Sequence, residues 1–189
     1  MIIYKIIKCA ELFLSAATQY WGKKASGILF VCAEDNTVLL LKRSNYVEQS
    51  GTWGVAGGAI GEGFHANVHG EKDPPNKVFL ESAQREAEEE LGSLPWVDKL
   101  INTTTFTDGG FTYKTYVFNI SLKEKLRWTP SIKLNWENDE AKWFTADSMP
   151  GNLHFGLKYS LNQLSKEQPT IEPAVVEESP DIQGPLEDL

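Results

Sequence analysis

The sequence has few cysteines, few basic residues and no long apolar run. Two cysteines, Cys9 and Cys32, occur in 189 residues. They allow at most one disulfide, so the chain is not a disulfide-stapled secreted scaffold. No stretch of about 18 uncharged apolar residues is present, which predicts that no helix crosses a membrane. Lysine and arginine together number 18 against 26 acidic residues, for a net charge of −8.

The negative charge is concentrated at the C-terminal end of the chain. Residues Ser165–Leu189 carry a net charge of −6, whereas residues 1–164 carry only −2. A body without a basic excess argues against broad binding of duplex nucleic acid. A small anionic ligand remains compatible with this balance if a metal ion supplies the positive charge.

Hydrophobic residues make up 41% of the chain, enough for one domain of ordinary size. We predict a single domain over residues 1–164. Residues 165–189 are acidic, contain proline and have almost no aromatic residue, which predicts a disordered tail. Cys9–Ala17 resembles a signal peptide, but Glu11 interrupts its apolar part. A buried N-terminal strand or helix and a cytoplasmic location are the favoured interpretation.

The order of strand and helix patterns predicts an α/β fold of the α+β type, a mixed β-sheet between helices. The predicted strands are Ser26–Ala33, Thr37–Lys42, Val97–Thr107, Phe111–Leu122 and Ala141–Thr145. Val78–Leu91 is the best helix, with Asn76 and Gly92 at its ends. Its apolar stripe, expected to pack on the sheet, consists of Leu80, Ala83, Ala87 and Leu91. Leucines 153, 157, 161 and 164 suggest a closing helix.

Six glycines occur within the 14 residues Ser50–Gly63, which predicts a loop or strand edge with close backbone approach. The polar segment Phe64–Asn76 follows and contains two adjacent prolines, as an exposed excursion would. His65 and His69 have a spacing that can bind metal on a helix. They lack a third partner and lie in a loop flanked by glycine and proline, so an ordinary surface position is favoured.

Three carboxylates of the predicted helix share one arc beside its apolar stripe. Glu86, Glu89 and Glu90 are spaced so that their like charges destabilise the helix. Mg²⁺ or Mn²⁺ would relieve this repulsion, because hard cations prefer carboxylate oxygens. Arg85 can reach Glu81 or Glu89 and hold a carboxylate in place. The alternative is a solvated acidic helix face, which is common on protein surfaces.

Residues 85–92 (REAEEELG) resemble the R-E-U-x-E-E-x-G core of the Nudix box. Upstream, residues 53–58 (WGVAGG) resemble the W-x-x-P-G-G entry into that box. Downstream, residues 135–144 (NWENDEAKWF) resemble the acidic segment that leads into a W-F strand. The resemblance covers most of the chain, from Ser26 to Leu164.

The sequence departs from the family pattern before and after the core of the box. Gly58 and Arg85 are 27 positions apart, about 13 more than in the pattern G-x5-E-x7-R. Lys77 stands where that pattern has a glutamate, and either Glu62 or Glu71 replaces that glutamate or no residue does. Ala56 replaces the usual proline, and Ser93 stands in place of an aliphatic residue.

The resemblance implies a Nudix hydrolase, which cleaves the pyrophosphate linkage of a nucleoside diphosphate joined to another group. It implies that Mg²⁺ or Mn²⁺ is the cofactor and that the partner is a small nucleotide. The implied metal ligands are Glu86, Glu89 and Glu90, and the implied catalytic residues are Glu89, Glu90, Arg85 and Glu137. Glu140 is the alternative to Glu137 as the distal carboxylate.

Other residues have two interpretations each. Lys42 and Arg43 end a strand beside the glycine-rich segment, where Arg43 could bind substrate phosphate together with Gly57 and Gly58. A plain surface pair is the alternative for the two basic residues. Trp53 could line the pocket, but core packing is favoured. Core packing is also favoured for the aromatic residues between 111 and 118.

Two other classes of function stay open at this point. Lys77 and the loop insertion favour a Nudix-fold module that binds or senses a nucleotide without turnover. The acidic tail would be the functional part if the chain were instead a protein-interaction domain. The complete set of three glutamates in the box favours the enzyme.

Deleting residues 165–189 should leave the melting temperature and the Mg²⁺-dependent activity almost unchanged. The tail has too little apolar surface to offset the roughly 1–2 kcal/mol per residue that ordering a backbone costs. Thermal unfolding of the full and truncated chains checks this prediction. A clear drop in the melting temperature on truncation would show that the tail packs on the domain.

Overall fold

The computed structural model describes residues 24–60, 76–108 and 110–166. Seven strands lie in these ranges: β1 (Lys24–Cys32), β2 (Thr37–Arg43), β3 (Trp53–Gly54), β4 (Ala56–Ala59), β5 (Lys99–Asp108), β6 (Phe111–Asn119) and β7 (Asn138–Thr145). Three α-helices accompany them: α1 (Asn76–Leu91), α2 (Leu122–Trp128) and α3 (Phe155–Lys166). Short 3₁₀ turns occupy Thr129–Ser131 and Ala146–Ser148.

The strands form one mixed sheet in which β1 is central. The order is β3-β2-β1-β6-β5, while β4 pairs with β1 and β7 pairs with β2. Strands β1 and β6 are parallel, and the other pairs are antiparallel. The prediction of a mixed sheet between helices is confirmed.

The glycine-rich segment fills a gap between β1 and β2. These two strands pair only beside their hairpin, at Val31↔Val38 and Cys32↔Thr37. Farther from the hairpin, β4 pairs with the start of β1 and β3 pairs with the end of β2. Gly57 lies opposite Gly27 in this arrangement, and a Cβ atom at Gly57 would lie 2.4 Å from the Ser26 carbonyl oxygen. No other residue can bring the backbone so close.

Both faces of the sheet are covered by helices. Successive residues of β1 and β2 therefore alternate between two cores, and the strands consist of nearly continuous apolar runs. One core lies against α1 and includes Ile28, Phe30, Leu39, Leu41, Phe79, Ala83, Ala87 and Leu91. The other lies against α3 and includes Leu29, Val31, Val38, Leu40, Leu157, Leu161 and Leu164.

Helix α1 begins at Asn76, two residues before the predicted start. Its C-terminal cap is as expected, because Gly92 adopts a φ of 76° and donates its N–H to the Glu88 carbonyl at 2.8 Å. The side chain of Asn76 instead accepts a hydrogen bond from Lys114 Nζ of β6. Phe79, absent from the predicted stripe, is the large buried anchor of the helix, whereas Leu80 is only partly buried.

Other sequence predictions differ from the structure at their boundaries. The predicted strand Phe111–Leu122 ends at Asn119 and is followed by α2, which the sequence did not predict. Ser121 caps α2 by accepting a hydrogen bond from the Glu124 N–H at 3.2 Å. Strand β7 begins at Asn138, three residues before its predicted start. The aromatic residues of β6 are buried, as expected.

Several predictions concern residues outside the described ranges and stay predictions. They are the N-terminal segment with Cys9, the residues Glu62, His65, His69 and Glu71, and the tail from residue 167 onward. Helix α3 continues to Lys166, two residues past the predicted domain boundary. Cys32 is buried with a free thiol. Among the described residues, no helix is long and apolar enough to cross a membrane.

Gly57→Ala should lower the free energy of unfolding by about 1–3 kcal/mol, because the added methyl group meets backbone atoms of β1 that cannot rotate away. At about 2–4 °C per kcal/mol for a chain of this size, the loss is visible in thermal melting. Gly151→Ala is the matched control, because a Cβ atom there would have no neighbour within 4 Å. Equal melting temperatures for the two variants would contradict this packing argument.

Candidate active site

A buried carboxylate joins helix α1 to two strands. Glu90 is buried, with only 5% of the residue exposed. Its Oε1 atom accepts the Gly57 N–H at 2.9 Å, and its Oε2 atom accepts the Asn138 side-chain amide at 2.7 Å. Gly57 belongs to β4 and Asn138 begins β7, so Glu90 holds three elements together at one end of the sheet.

Glu86 lies one helical turn before Glu90 and faces the same strand edge. A Cβ atom at Gly58 would lie 2.4 Å from Glu86 Oε2. The missing side chain at Gly58 therefore leaves the space that the Glu86 carboxylate occupies. The Oε1 atom of Glu86 accepts a hydrogen bond from Arg85 Nη2 at 2.5 Å.

Glu89 takes a different position from the other two glutamates of the box. Its side chain is 56% exposed, and its Oε1 atom accepts a hydrogen bond from Arg85 Nη1 at 2.8 Å. Arg85 thus bridges Glu86 and Glu89 with the two ends of its guanidinium group. Of the two partners predicted for Arg85, the structure selects Glu89, while Glu81 pairs with Lys77 at 3.6 Å.

The segment before β7 brings a fourth carboxylate to this place. The Asn135 N–H donates to the Glu90 carbonyl at 3.3 Å, and the Asn135 side chain accepts the Glu137 N–H at 3.0 Å. On its other side, the Glu137 carbonyl accepts the Ser44 N–H at 2.8 Å. Glu137 is half-buried in this position, whereas Glu140 is exposed on the ladder opposite Lys42. The geometry favours Glu137 over Glu140 as the distal carboxylate.

Arg43 is a second cation near these carboxylates, besides Arg85. Burial lowers the pKa of its guanidinium, while the negative charges of Glu90 and Glu137 raise it. The Nε atom of Arg43 donates to the Glu48 carbonyl at 2.7 Å, so the loop after β2 folds over the arginine. The structure therefore brings Arg43 to the predicted site. Lys42, its neighbour, lies in the ladder between Trp53 and Glu140.

Two of these carboxylates, Glu90 and Glu86, retain protons more strongly than free carboxylates do. Burial, helped by the charges of Glu137 and Glu86, raises the pKa of Glu90 to about 7, although the hydrogen bonds from Gly57 and Asn138 oppose the shift. Burial also raises the pKa of Glu86, where the Arg85 charge opposes the shift. The negative charge of the cluster is therefore incompletely compensated by the protein.

Sequence reasoning missed three residues of this region. Asn138 follows Glu137 directly in the acidic segment, which is the only sequence feature that could have indicated it. Burial, followed by the charge of Arg43, lowers the pKa of His154 to about 3, so its imidazole is neutral. Burial and the Glu90 charge raise the pKa of Tyr113. Neither spacing nor composition links His154 or Tyr113 to the helix, because only the fold brings them near Arg43.

Trp53 packs in the core rather than lining the site. Its ring meets Phe144 edge to face, with centroids 4.8 Å apart, in the core against α3. The preference for core packing is confirmed.

The donor set of the cluster fits a hard divalent cation. Glu86, Glu90 and Glu137 offer carboxylate oxygens, which Mg²⁺ and Mn²⁺ prefer. Burial, together with the charges of Glu137 and Glu86, raises the pKa of Glu90. In the described ranges, no three His, Cys, Asp or Glu side chains lie close enough together to hold a metal ion as they stand.

The NUDIX domain model matches residues 22–164, so the chain belongs to the NUDIX domain family. Members of this family act on pyrophosphate bonds and generally use divalent metal ions. The chain is accordingly an enzyme of the pyrophosphohydrolase class.

Solved structures of Nudix proteins share the fold at low sequence identity. The Nudix hydrolase RenU from M. smegmatis is 23% identical, with a TM-score of 0.57 over 79% of this chain and 88% of that chain. A NUDIX hydrolase from Nitrosomonas europaea is 18% identical, with a TM-score of 0.51 over 80% and 75%. The MutT protein from Methanosarcina mazei Go1 is 18% identical, with a TM-score of 0.50 over 78% and 98%. A search of curated protein sequences finds no match.

The metal-free protein should lose stability through Glu90 as the pH rises. The pKa of Glu90 is about 7 in the folded chain and near 4.5 when unperturbed, so the folded state binds the additional proton between these values. The stabilisation by this additional proton is complete below pH 4.5 and is lost as the pH rises through 7. The loss amounts to roughly 3 kcal/mol in the free energy of unfolding. Urea unfolding in a chelator at pH 5 and pH 8 measures it.

The matched control is Glu90→Gln, which keeps the side-chain volume but cannot titrate. Subtracting its unfolding free energy from that of the wild type isolates the contribution of this one group from all other titrations. A difference that stays the same at pH 5 and pH 8 would contradict the burial argument.

Proposed function

We propose that the chain is a Mg²⁺- or Mn²⁺-dependent hydrolase that cleaves the pyrophosphate linkage of a small nucleoside diphosphate derivative. The observation that carries the proposal is the buried Glu90, held by Gly57 and Asn138 beside Glu86 and within the field of Glu137. A protein rarely buries a carboxylate among other carboxylates without a use for their charge.

The carboxylates would hold the metal, and their position suggests how they divide that work. Glu90 and Glu86 are oriented by fixed partners and would form the rigid part of the site, whereas Glu89 would turn inward from its exposed position. A divalent metal bound there supplies neutralisation of the diphosphate charge and polarisation of a phosphoryl oxygen. The acidic side chains alone would repel a diphosphate.

The remaining residues have roles in positioning and proton transfer. Arg85 would keep Glu86 and Glu89 in orientation, because its guanidinium donates to both. Arg43 would contact a substrate phosphate, since its positive charge lies within the field of Glu90 and Glu137. Glu137, fixed by backbone hydrogen bonds, would accept the proton of the attacking water or join the metal ligands.

The backbone of Gly57 and Gly58 would form the wall on which the diphosphate lies. The Glu86 carboxylate takes the space beside Gly58, and the Gly57 N–H donates to Glu90, so the two glycines would meet the diphosphate together with these carboxylates. The small-molecule nucleotide partner, the absence of duplex nucleic acid and the cytoplasmic location belong to this proposal as well. A module that binds nucleotides without turnover is the competing function, and Lys77 and the loop insertion are its support.

Glu90→Gln and Glu86→Gln should each lower Mg²⁺-dependent turnover by roughly 100-fold or more, because a neutral amide is a much poorer metal ligand than a carboxylate. Both substitutions preserve side-chain volume, so the folded structure should persist. The measurement is product release from a panel of nucleoside diphosphate derivatives, with and without Mg²⁺.

Glu88→Gln is the matched control. Glu88 is an exposed residue of the same helix, and its substitution removes the same charge. It should retain turnover within about twofold of wild type, since exposed surface substitutions are usually small in effect. Wild-type rates for Glu90→Gln would refute the assigned ligand. Nucleotide binding without any turnover across the panel would favour the binding module.

A further inference from the structure

Two serine hydroxyls buried between helix α1 and strand β1 have no hydrogen-bond partner among the described residues. Ser26 of β1 is 0% exposed, and Ser82 of α1 is 1% exposed. Within the part of the chain that the structure describes, no group bonds to the Oγ atom of either residue. Burying a hydroxyl without a partner costs free energy, so most buried hydroxyls have one. The two atoms therefore indicate a partner that is not a protein group.

Ser160 shows how a buried serine of a helix is ordinarily satisfied. Its Oγ atom donates to the carbonyl of Gly156, four residues earlier in α3, at 3.0 Å and lies 2.7 Å from Thr115 Oγ1. Ser82 does not make the corresponding bond to the carbonyl of Val78. Its hydroxyl is thus left for a group in the space between the helix and the sheet.

The register of the sheet places Ser26 in the middle of a row of three strands. Ile28, two positions later in β1, belongs to the core against α1, so the Ser26 side chain faces the same helix. Ser26 pairs with Gly58 of β4 on one side and with Lys114 of β6 on the other.

Helix α1 crosses this row from Lys114 to Gly58. The Lys114 Nζ atom lies 4.5 Å from the centroid of the Phe79 ring. At the other end of the row, Glu86 Oε2 lies 2.4 Å from the place of a Cβ atom at Gly58. Ser82 lies between Phe79 and Glu86 on the same side of the helix. It therefore passes over the middle of the row, which is the β1 position.

Both hydroxyls are close to the Glu86 carboxylate. Ser82 precedes Glu86 by one helical turn, where Cβ atoms are about 5–6 Å apart. Ser26 is directly opposite Gly58, and such residues have Cβ positions about 4.5–5.5 Å apart on one face. The Glu86 carboxylate takes the space of the missing Gly58 side chain, so it lies beside Ser26 as well. One water molecule can bridge polar atoms at this separation.

We propose that Ser26 and Ser82 hold one ordered water molecule that donates a hydrogen bond to Glu86 Oε2 and thereby orients this carboxylate. The inference deepens the proposed function, in which Glu86 is a metal ligand, and rests on it. Buried waters typically make about three hydrogen bonds, which the two hydroxyls and the carboxylate supply. Ser26 and Ser82 are then positioning residues, because they act on the metal only through Glu86.

This water completes the fixation of the Glu86 carboxylate. Arg85 donates to the Oε1 atom, and the water donates to the Oε2 atom, so both ends are oriented before a cation arrives. A ligand that is already oriented loses little freedom when it binds the metal. Metal affinity should therefore depend on two hydroxyls that do not contact the metal.

The experiment measures the Kd for Mn²⁺ by electron paramagnetic resonance in Ser26→Ala, Ser82→Ala and the double variant. Each single substitution should raise the Kd roughly tenfold, the lower end of what the loss of an outer-shell partner costs. The double variant should bind within about twofold of the single variants, because all three lose the same water. Independent roles of the two serines would instead multiply to roughly 100-fold.

Thermal unfolding in a chelator distinguishes a hydrated pair of serines from a dry one. If no water were bound, alanine would remove a desolvated hydroxyl and raise the melting temperature by about 2–4 °C or more. If the water is bound, its hydrogen bonds are lost with the hydroxyl. The melting temperature should then stay the same or fall.

Ser160→Ala is the matched control, a buried serine of α3 whose hydroxyl bonds to protein groups. It should lower the melting temperature, because these bonds are lost, and leave the Kd for Mn²⁺ unchanged. A crystal structure of the wild type should show the water within about 3 Å of Ser26 Oγ, Ser82 Oγ and Glu86 Oε2.

The outcomes separate the inference from the proposed function. Raised melting temperatures with unchanged Mn²⁺ affinity in both serine variants overturn the inference alone, as does a crystal structure without a water between the two hydroxyls. A wild type that does not bind Mn²⁺ refutes the proposed function and, with it, the positioning role.

Discussion

The site depends on one interaction, the capture of the Glu90 carboxylate by the Gly57 N–H and the Asn138 side-chain amide. A buried carboxylate needs hydrogen-bond donors, and these two come from strands far apart in the sequence. These two hydrogen bonds fix the C-terminal end of α1 against β4 and β7. The same contacts bring Glu86 beside Gly58 and hold the segment of Glu137 close to the helix end.

The glycine pair is what makes this capture possible. Gly57 lies directly against the backbone of β1, which a residue with a side chain could not do. From this position its N–H donates to Glu90. Gly58 then leaves room for Glu86. Packing and chemistry thus depend on the same two residues: one glycine is required by the backbone of β1 and the other by a carboxylate.

Burial of the Glu90 carboxylate lowers the stability of the metal-free protein when the carboxylate is ionised. Burial and like charges raise the pKa of Glu90 to about 7, so near neutral pH the carboxylate is ionised only in part. Such a group stabilises the fold least when it is charged, and a bound cation reverses that balance. Stability and ligand binding should therefore be coupled through this one side chain.

The sequence by itself determined five of the seven described strands to within a few residues, the helix α1 with its Gly92 cap, and the acidic face of the box, because periodicity and end signals are local properties. Strands β3 and β4 lie in the segment predicted only as a loop or strand edge. Glu86, Glu89, Glu90 and Arg85 could be predicted for the same reason, since all four lie on eight consecutive residues. Helix α2 escaped prediction, because seven residues after a strand give too short a pattern.

Only the tertiary structure decided which glutamates turn inward and what surrounds them. Helical geometry placed three carboxylates on one arc, but the approach of β4 separates the buried Glu90 from the exposed Glu89. Asn138 and Tyr113 join the site through strand pairing between distant segments, and His154 through the hydrogen bond of its N–H to the Trp53 carbonyl at 2.7 Å. Such contacts depend on where the chain folds back on itself, and no local spacing in the sequence carries that information.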